Sequence, residues 1–456
     1  MKIEYTGVLK MTGPLLFLTG VTDVGYDEMA EIILDSGERR YGRVIQISGD
    51  TVCIQVFQGT SGISATNSHT RFTGKPMRLT LSREILGRIF SGSGRSIDGI
   101  GLVFPDEQRD INGSAINPVS RKYPRSCIYT GISAIDATST LIRGQKLPIF
   151  SGSGLSHNEL AAQIVRQAKI GSEDEKFAIV FGAMGVKNDV AEFFRKNFEE
   201  AGVLSHVTMY LNLASDPIIE RILTPRCALT AAEYLAFKHG YHVLVILTDM
   251  TSYCEALREY SSSKGEIPSR KGFPSYMYSD LASIYERAGM IESCAGSVTQ
   301  MPILTMPNDD ISHPIPDLTG YITEGQIVLN RELGQKSIYP PINILSSLSR
   351  LMKDGIGENF TREDHPDVSN QLFASYSKVQ EARSLASVIG EDELSDTDMR
   401  YMEFGRQLEN AFINQDMMEN RSLERTLETA WNLLSLLPRT ELDRIDDKLL
   451  DMYYKS

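Results

Sequence analysis

A glycine-rich segment that follows a short apolar run is the clearest candidate for phosphate chemistry in this sequence. Residues 151–156 read Ser-Gly-Ser-Gly-Leu-Ser and lie between the run 147–150 and a helical pattern that begins near His157. A phosphate-binding loop of the form GxxxxGK[ST] wraps phosphates with backbone N–H groups, neutralises them with its lysine and holds Mg²⁺ through its hydroxyl. Here Leu155 stands at the lysine position and Ile149 at the first glycine position. The segment keeps the order of the motif without its charge.

Gly152, Gly154 and Ser156 remain as candidate contacts to a nucleotide. The segment from Ser156 to Glu159 also fits the S-x-x-E capping box, which forms a helix start without any ligand. Two interpretations therefore stay open: a plain glycine turn, or a loop that binds an anion or nucleotide weakly at the helix N-terminus. In both cases we expect no phosphoryl transfer here, because leucine cannot replace a full positive charge beside a polyanion.

An acidic residue at the end of a second apolar run could complete such a site. Residues 243–247 are apolar and are followed by Thr248 and Asp249. A carboxylate in this position holds Mg²⁺ in many phosphate-transfer sites. An aspartate that caps the following helix gives the same pattern, so Asp249 is a candidate cofactor-binding residue with an equally simple structural interpretation.

The distribution of apolar residues predicts three domains. Residues 1–77 form short alternating runs separated by turns, which predicts a small β-barrel. Residues 78–350 alternate strand-like and helical runs, which is typical of an α/β domain with a mostly parallel sheet; the turn-rich stretch 87–124 is interpreted as a lead-in linker. Residues 351–456 carry apolar side chains at three- and four-residue spacing, which predicts a helical bundle.

Composition excludes several classes of function. Lys and Arg total 46 against 59 Asp and Glu, for a net charge of −13, and residues 391–456 alone hold 16 acidic and 8 basic side chains. Without clustered cations the chain does not resemble a nucleic-acid binder, whereas the acidic C-terminal domain is a candidate surface for a protein partner. The 5 cysteines form no CxxC pair, which favours a reducing, cytosolic compartment. The histidines lack the spacing of metal ligands, so we expect no metal site.

Longer motifs resemble the B subunits of V-type and archaeal A-type rotary ATPases. The most specific is residues 340–350, Pro-Pro-Ile-Asn-Ile-Leu-Ser-Ser-Leu-Ser-Arg, which is similar to a signature shared by the nucleotide-binding subunits of these machines. Four further segments resemble the same family, namely residues 152–164, 181–189, 247–251 and 315–321. The resemblance covers nearly the whole chain and implies a β-barrel, a central P-loop-like (RecA-like) α/β domain and a C-terminal helical domain.

The resemblance implies a non-catalytic, regulatory subunit that alternates with three catalytic A subunits in a hexameric ring. Catalytic relatives carry the loop lysine and a Gly-Glu-Arg-Gly-Asn-Glu stretch whose first glutamate polarises the attacking water. When that stretch is registered on Asn188 and Asp189, the glutamate position falls at Gly185. With Leu155 and Gly185 in these places, we expect no ATP hydrolysis in the chain's own pocket.

The implied ligands and partners follow from the same resemblance. ATP or ADP with Mg²⁺ would be bound at the interface with the catalytic subunit and not firmly by this chain alone. Further partners would be the central stalk, the peripheral stalk and the membrane sector that moves ions. The chain would be cytoplasmic and peripheral to the membrane.

Arg350 is the candidate catalytic residue that the resemblance implies. In the family the arginine after this Ser-x-Ser reaches into the neighbouring subunit's catalytic site, where a planar fork of donors stabilises charge on the transferred phosphoryl group. Ser347 and Ser349 would belong to the same interface. The alternative is an arginine that caps the end of the α/β domain or pairs with an acid such as Asp354.

A second implied interface is the acidic run in the helical domain. Glu391, Asp392 and Glu393 are similar to an acidic loop by which related subunits face the rotor. A solvated connection between two helices explains the same residues.

Two other functions remain as competing hypotheses. One is an autonomous ring ATPase of the secretion or helicase type, against which Leu155, Gly185 and the absence of a basic channel all argue. The other is a structural ring subunit with no residue in any active site.

Overall fold

The N-terminal domain is a seven-stranded antiparallel structure with its own apolar core. The computed structural model describes residues 3–171 and 175–455. The strands are β1 (Glu4–Thr6), β2 (Val8–Thr12), β3 (Leu15–Leu18), β4 (Glu28–Ile33), β5 (Arg39–Ser48), β6 (Thr51–Val56) and β7 (His69–Pro76). They pair in the order β1-β7-β4-β5-β6-β3-β2. Alternation places side chains such as Ala30, Ile32 and Val44 in the interior, fully buried.

The central domain is built on a largely parallel sheet whose strands are covered by helices on both faces. Its strands are β8 (Arg78–Leu81), β9 (Ile89–Ser91), β10 (Glu107–Asp110), β11 (Cys127–Tyr129), β12 (Leu141–Ile142), β13 (Ile149–Gly152), β14 (Lys169–Ile170), β15 (Phe177–Val186), β16 (Val207–Leu213), β17 (His242–Thr248), β18 (Gly289–Met290), β19 (Ser297–Met306), β20 (Gly325–Val328) and β21 (Leu348–Ser349). Its helices are α1 (Ser133–Thr138), α2 (His157–Gln167), α3 (Asn188–Glu200), α4 (Ile218–Glu233), α5 (Met250–Ser263), α6 (Met277–Tyr285), α7 (Pro314–Ile322) and α8 (Arg331–Gln335).

The main sheet runs β21-β20-β13-β19-β17-β15-β16-β9, and β21 is antiparallel to β20. The carboxyl ends of the parallel strands β13, β15, β16, β17 and β19 meet at one edge, where ligands bind in open α/β sheets. The glycine-rich loop after β13 therefore lies beside the end of β19 and on the same side of the sheet as the ends of β17 and β15.

The described residues of the C-terminal domain form helices and the loops that connect them, as the sequence predicts. Trp431 is buried among apolar side chains of this domain, where it stacks on Tyr453 with ring centroids 5.3 Å apart. Its indole Nε1 donates a hydrogen bond of 2.6 Å to Asp364. The helices are α9 (His365–Ile389), α10 (Asp396–Gln407), α11 (Leu423–Leu434) and α12 (Asp447–Tyr453).

Two strands of the central domain depart from the sequence-based expectations. The lead-in 87–124 is not only a linker, since β9 lies inside it and pairs in parallel with β16 at the sheet edge. Strand β19 was not predicted, although it lies between β13 and β17; Pro302 in its middle is a residue that usually argues against a central strand.

Candidate functional site

The glycine-rich loop lies at the carboxyl end of β13 and leads directly into α2, in the order of a phosphate-binding loop. Gly154 has a φ of 78°, a left-handed conformation that favours glycine. The predicted capping box is wrong: Ser156 precedes the helix, but its side chain makes no capping hydrogen bond. Its ψ of 42° differs from the extended conformation that N-cap side chains require.

Leu155 is turned toward the protein instead of the loop's open face. It packs against the buried apolar cluster that includes Leu160 and Ile164 of α2. Its Cδ2 lies 3.3 Å from the position that a Cβ on Gly334 of α8 would take. The side chain at the lysine position therefore holds the loop against α8 and offers nothing to a phosphate.

An ion pair between Asp309 and Arg331 covers Gly152. Arg331 Nε lies 2.6 Å from Asp309 Oδ2, and its Nη2 donates to Asp309 Oδ1 at 2.9 Å and to the carbonyl of Ser153 at 3.0 Å. A Cβ on Gly152 would overlap Asp309 Oδ1, so the carboxylate sits directly on the loop. The hydrogen bonds from Arg331 lower the pKa of Asp309, which keeps this carboxylate charged.

Asp249 caps helix α5. Its Oδ1 accepts hydrogen bonds from the backbone N–H of Thr251 at 2.9 Å and of Thr305 at 3.2 Å. Burial raises the pKa of Asp249, while these hydrogen bonds act in the opposite direction. The capping interpretation accounts for the carboxylate in this structure, and its role toward Mg²⁺ stays a prediction.

Arg221 occupies the space beside Gly185, the residue that the sequence resemblance registers at the glutamate position. Gly185 has a φ of 67°, and a Cβ there would lie 2.8 Å from Arg221 Nε and 3.1 Å from the Cβ of Ser252. Asn212 Oδ1 holds both groups, accepting from the Gly185 N–H and from Arg221 Nε at 3.0 Å each. Burial lowers the pKa of Arg221, and among the described residues this guanidinium forms no ion pair.

These observations test whether the pocket fits a nucleotide held for hydrolysis, and it does not. Leu155 stands where the phosphate-loop motif has its lysine, and the Asp309 carboxylate lies over Gly152, where a phosphate would be bound. No reaction step is therefore assigned to this pocket.

Arg350 lies beside the amino end of β20, whereas the glycine-rich loop lies at the carboxyl end of β13. Ser349 pairs with Gly325, the first residue of β20, while the glycine loop follows the far end of the neighbouring strand β13. The register places these two levels about five residues apart, or about 16 Å along the strand at 3.3 Å per residue. Arg350 consequently cannot serve a phosphate at this chain's own loop.

The Arg350 side chain is exposed and unpaired within the described parts of the chain. Its backbone is fixed by a hydrogen bond of 3.0 Å to the carbonyl of Glu324. Within the described residues Arg350 forms no ion pair with Asp354, whose carboxylate accepts a hydrogen bond of 2.7 Å from Tyr123. Arg350 and Lys353 line an open groove of about 580 Å³ between the α/β domain and α9.

Comparison with known proteins agrees with this architecture along nearly the whole chain. Sequence models of three domains match: the beta-barrel domain of the ATP synthase alpha/beta family at residues 8–74, its nucleotide-binding domain at 131–349, and the C-terminal domain of V and A type ATP synthase at 354–454. The V-type ATP synthase beta chain 2 of Clostridium tetani is 63% identical over 100% of both chains. The chain belongs to the B-subunit family of V-type and A-type ATP synthases.

An archaeal relative and a solved structure extend the match. The B subunit of the A-type ATP synthase of Aeropyrum pernix is 56% identical over 99% of this chain and 97% of its own. An ATP synthase subunit from Nanoarchaeum equitans superposes with a TM-score of 0.74 at 40% identity, over 93% of this chain and 100% of that one. Among the described residues no helix has the length and hydropathy needed to span a membrane.

In this B-subunit-family chain the two signature serines are buried. Ser347 Oγ donates to the carbonyl of Asn343 and accepts from the N–H of Val328, and Ser349 Oγ donates to the carbonyl of Thr140 at 2.9 Å. Both hydroxyls therefore fix the segment that ends in Arg350 to the rest of the domain.

The acidic residues 391–393 form an exposed turn at the end of α9. Gly390, with a φ of 95°, ends α9 and starts this turn. All three side chains face solvent, which is compatible with a partner surface and with a solvated connection alike.

Sequence reasoning missed Arg221, Asp309 and Arg331. Each belongs to a different element, at the start of α4, after β19 and at the start of α8. Two signals were available: the acidic pair 309–310 follows an apolar run in the same way as Asp249, and Arg331 starts a helix. Neither signal says that these side chains meet over Gly152.

Proposed function

We propose that this chain is a non-catalytic B subunit of a rotary ATPase ring, and that it donates Arg350 to the catalytic site of a neighbouring A subunit. The observation that carries the proposal is the position of Arg350: it lies at the opposite sheet edge from the chain's own loop, exposed and free of partners within the described residues. An arginine so placed is available to a group that another chain presents.

The guanidinium would stabilise charge that develops on the transferred phosphoryl group. A guanidinium offers a planar fork of hydrogen-bond donors that matches phosphoryl oxygens. An arginine supplied in trans is generally worth about 10³ to 10⁵ in rate, or roughly 4–7 kcal/mol of barrier. Ser347, Ser349 and the Glu324 carbonyl hold its backbone in place, so little backbone entropy is lost when it engages a neighbour.

The remaining elements receive roles consistent with this arrangement. ATP or ADP with Mg²⁺ is bound at the interface with the A subunit, three copies of which alternate with this chain. Contacts with the central stalk involve Glu391–Glu393 and the acidic helical domain. The peripheral stalk and the membrane sector are further partners in the complex. The chain itself lies on the cytoplasmic side, peripheral to the membrane.

The test is ATP turnover of a ring reconstituted from this chain and catalytic A subunits. Arg350→Ala should lower turnover by at least about 10³ and leave ring assembly intact. Lys353→Ala is the matched control, because it removes an exposed cation that lines the same groove three residues on. Turnover unaffected by Arg350→Ala would favour a purely structural subunit.

The purified chain alone separates this proposal from an autonomous ATPase. Mixed with Mg²⁺ and ATP, it should show no turnover, because its pocket lacks both the lysine and the catalytic glutamate. Turnover that rises in proportion to the concentration of this chain would overturn the non-catalytic assignment.

A further inference from the structure

A carboxylate is fixed on the face of the glycine loop where a phosphate would lie. Asp309 Oδ1 is close enough to Gly152 that a methyl group on that glycine would overlap it. Asn308 and Asp309 both adopt left-handed backbone conformations, with φ of 57° and 55°, in the turn after β19. Such conformations are uncommon for residues other than glycine and persist where the surroundings enforce them.

Arg331 fixes that carboxylate and the loop together. Its guanidinium makes two hydrogen bonds to Asp309 and one to the carbonyl of Ser153. Arg331 is the first residue of α8, and the Asn330 side chain before it caps that helix by accepting from Leu333 N–H at 3.0 Å. The ion pair, which we call the Asp309–Arg331 latch, thus connects the end of β19, the loop after β13 and the start of α8.

We propose that the loop is a latent polyphosphate site and that Asp309, held by Arg331, is the residue that keeps polyphosphate out. The loop keeps the strand, glycine turn and helix order of a phosphate cradle, and Arg331 supplies a cation close to it. Asp309 cancels that cation and adds a negative charge where the ligand's own charge would be. The exclusion is therefore an electrostatic property of one side chain as well as a consequence of Leu155.

The Asp309–Arg331 latch lies in the pocket that the proposed function treats as non-catalytic, and its ligand class rests on that assignment. The test uses the isolated full chain without any A subunit. If Asp309→Asn does not bind polyphosphate more tightly, the role proposed for Arg350 still stands. If Arg350→Ala does not lower turnover in the ring, the role proposed for the Asp309–Arg331 latch still stands.

The experiment is equilibrium dialysis of the full chain against ATP and, separately, against inorganic pyrophosphate. Asp309→Asn should bind both probes at least about tenfold more tightly than the unaltered chain, because it removes the repulsion and frees Arg331. Asp310→Asn is the matched control, because it removes the same charge one residue away. Asp310 forms an ion pair with Lys271 and accepts a hydrogen bond from the backbone N–H of Ser312. The control should remain within about twofold of the unaltered chain.

Three results would overturn the proposal. Asp309→Asn could bind no more tightly than the unaltered chain, Asp310→Asn could gain equally, or ATP could gain without pyrophosphate, which would place binding away from the loop. The double variant Asp309→Asn/Arg331→Gln should lose the gain, and its persistence would contradict the role of Arg331. Both side chains are about two-fifths exposed, at 41% and 42%, and Asp309→Ser provides a second variant with the same expected result.

Discussion

Gly185→Ala tests the claim that the Arg221 side chain packs directly against Gly185. The substitution adds one methyl group at a left-handed position, 2.8 Å from Arg221 Nε and 3.1 Å from Ser252 Cβ. Arg221 cannot move aside without breaking its hydrogen bond to Asn212. The variant therefore suffers both backbone strain and crowding.

The two contributions can be separated because the chain offers a matched glycine. Gly202 has nearly the same φ, 69°, and a Cβ there would have nothing within 4 Å. Gly202→Ala should cost only the left-handed strain, about 1–2 kcal/mol. Gly185→Ala should cost a further ~1–3 kcal/mol for crowding, and each kcal/mol corresponds to about 2–4 °C of thermal midpoint in a domain of this size.

Scanning calorimetry of both variants measures the difference. In an Arg221→Ala background the extra cost of Gly185→Ala should shrink, since the crowding partner is gone; this double-mutant cycle isolates the contact. Equal midpoints for Gly185→Ala and Gly202→Ala would refute the reasoning. So would an extra cost that is unchanged when Arg221 is removed.

Two further predictions concern the helical domain. Burial lowers the pKa of His365 to about 4, so neutral His365 contributes stability that is complete above pH ~6.5 and is lost as the pH falls toward 4, by roughly 3 kcal/mol; unfolding midpoints measured across this range should fall accordingly, and His365→Gln should remove that part of the slope. Trp431→Phe removes the buried hydrogen bond to Asp364 and should cost about 1.5–3 kcal/mol in urea unfolding of the chain; an unchanged midpoint would contradict it.

The order of the three domains could be predicted from the sequence because each has its own period of apolar residues. Strands β15, β16 and β17 are long apolar runs, and α11 carries its apolar side chains on one face around Trp431. Strand β9 was missed because three residues are too few to show a period, and β19 because Pro302 interrupts it. Both segments form strands because they pair with strands that are distant in sequence, β9 with β16 and β19 with β13 and β17.

The candidate site was predictable where chemistry depends on residue type and missed where it depends on a meeting of distant elements. Leu155 at the lysine position is visible in the sequence alone. The Asp309–Arg331 pair joins residues 22 positions apart, and Arg221 of α4 reaches Gly185 of strand β15. The position of Arg350 at the opposite sheet edge likewise needed the register of β21 against β20.

The most direct test of the central claim is single-turnover cleavage of ATP bound to the reconstituted ring, with Arg350 replaced by Ala or by Lys. We expect ATP affinity to change little and the cleavage rate to fall by about 10³ or more with Ala and less with Lys, which keeps the charge but loses the fork. An unchanged cleavage rate with Arg350→Ala, or a loss explained entirely by weaker ATP binding, would contradict the account.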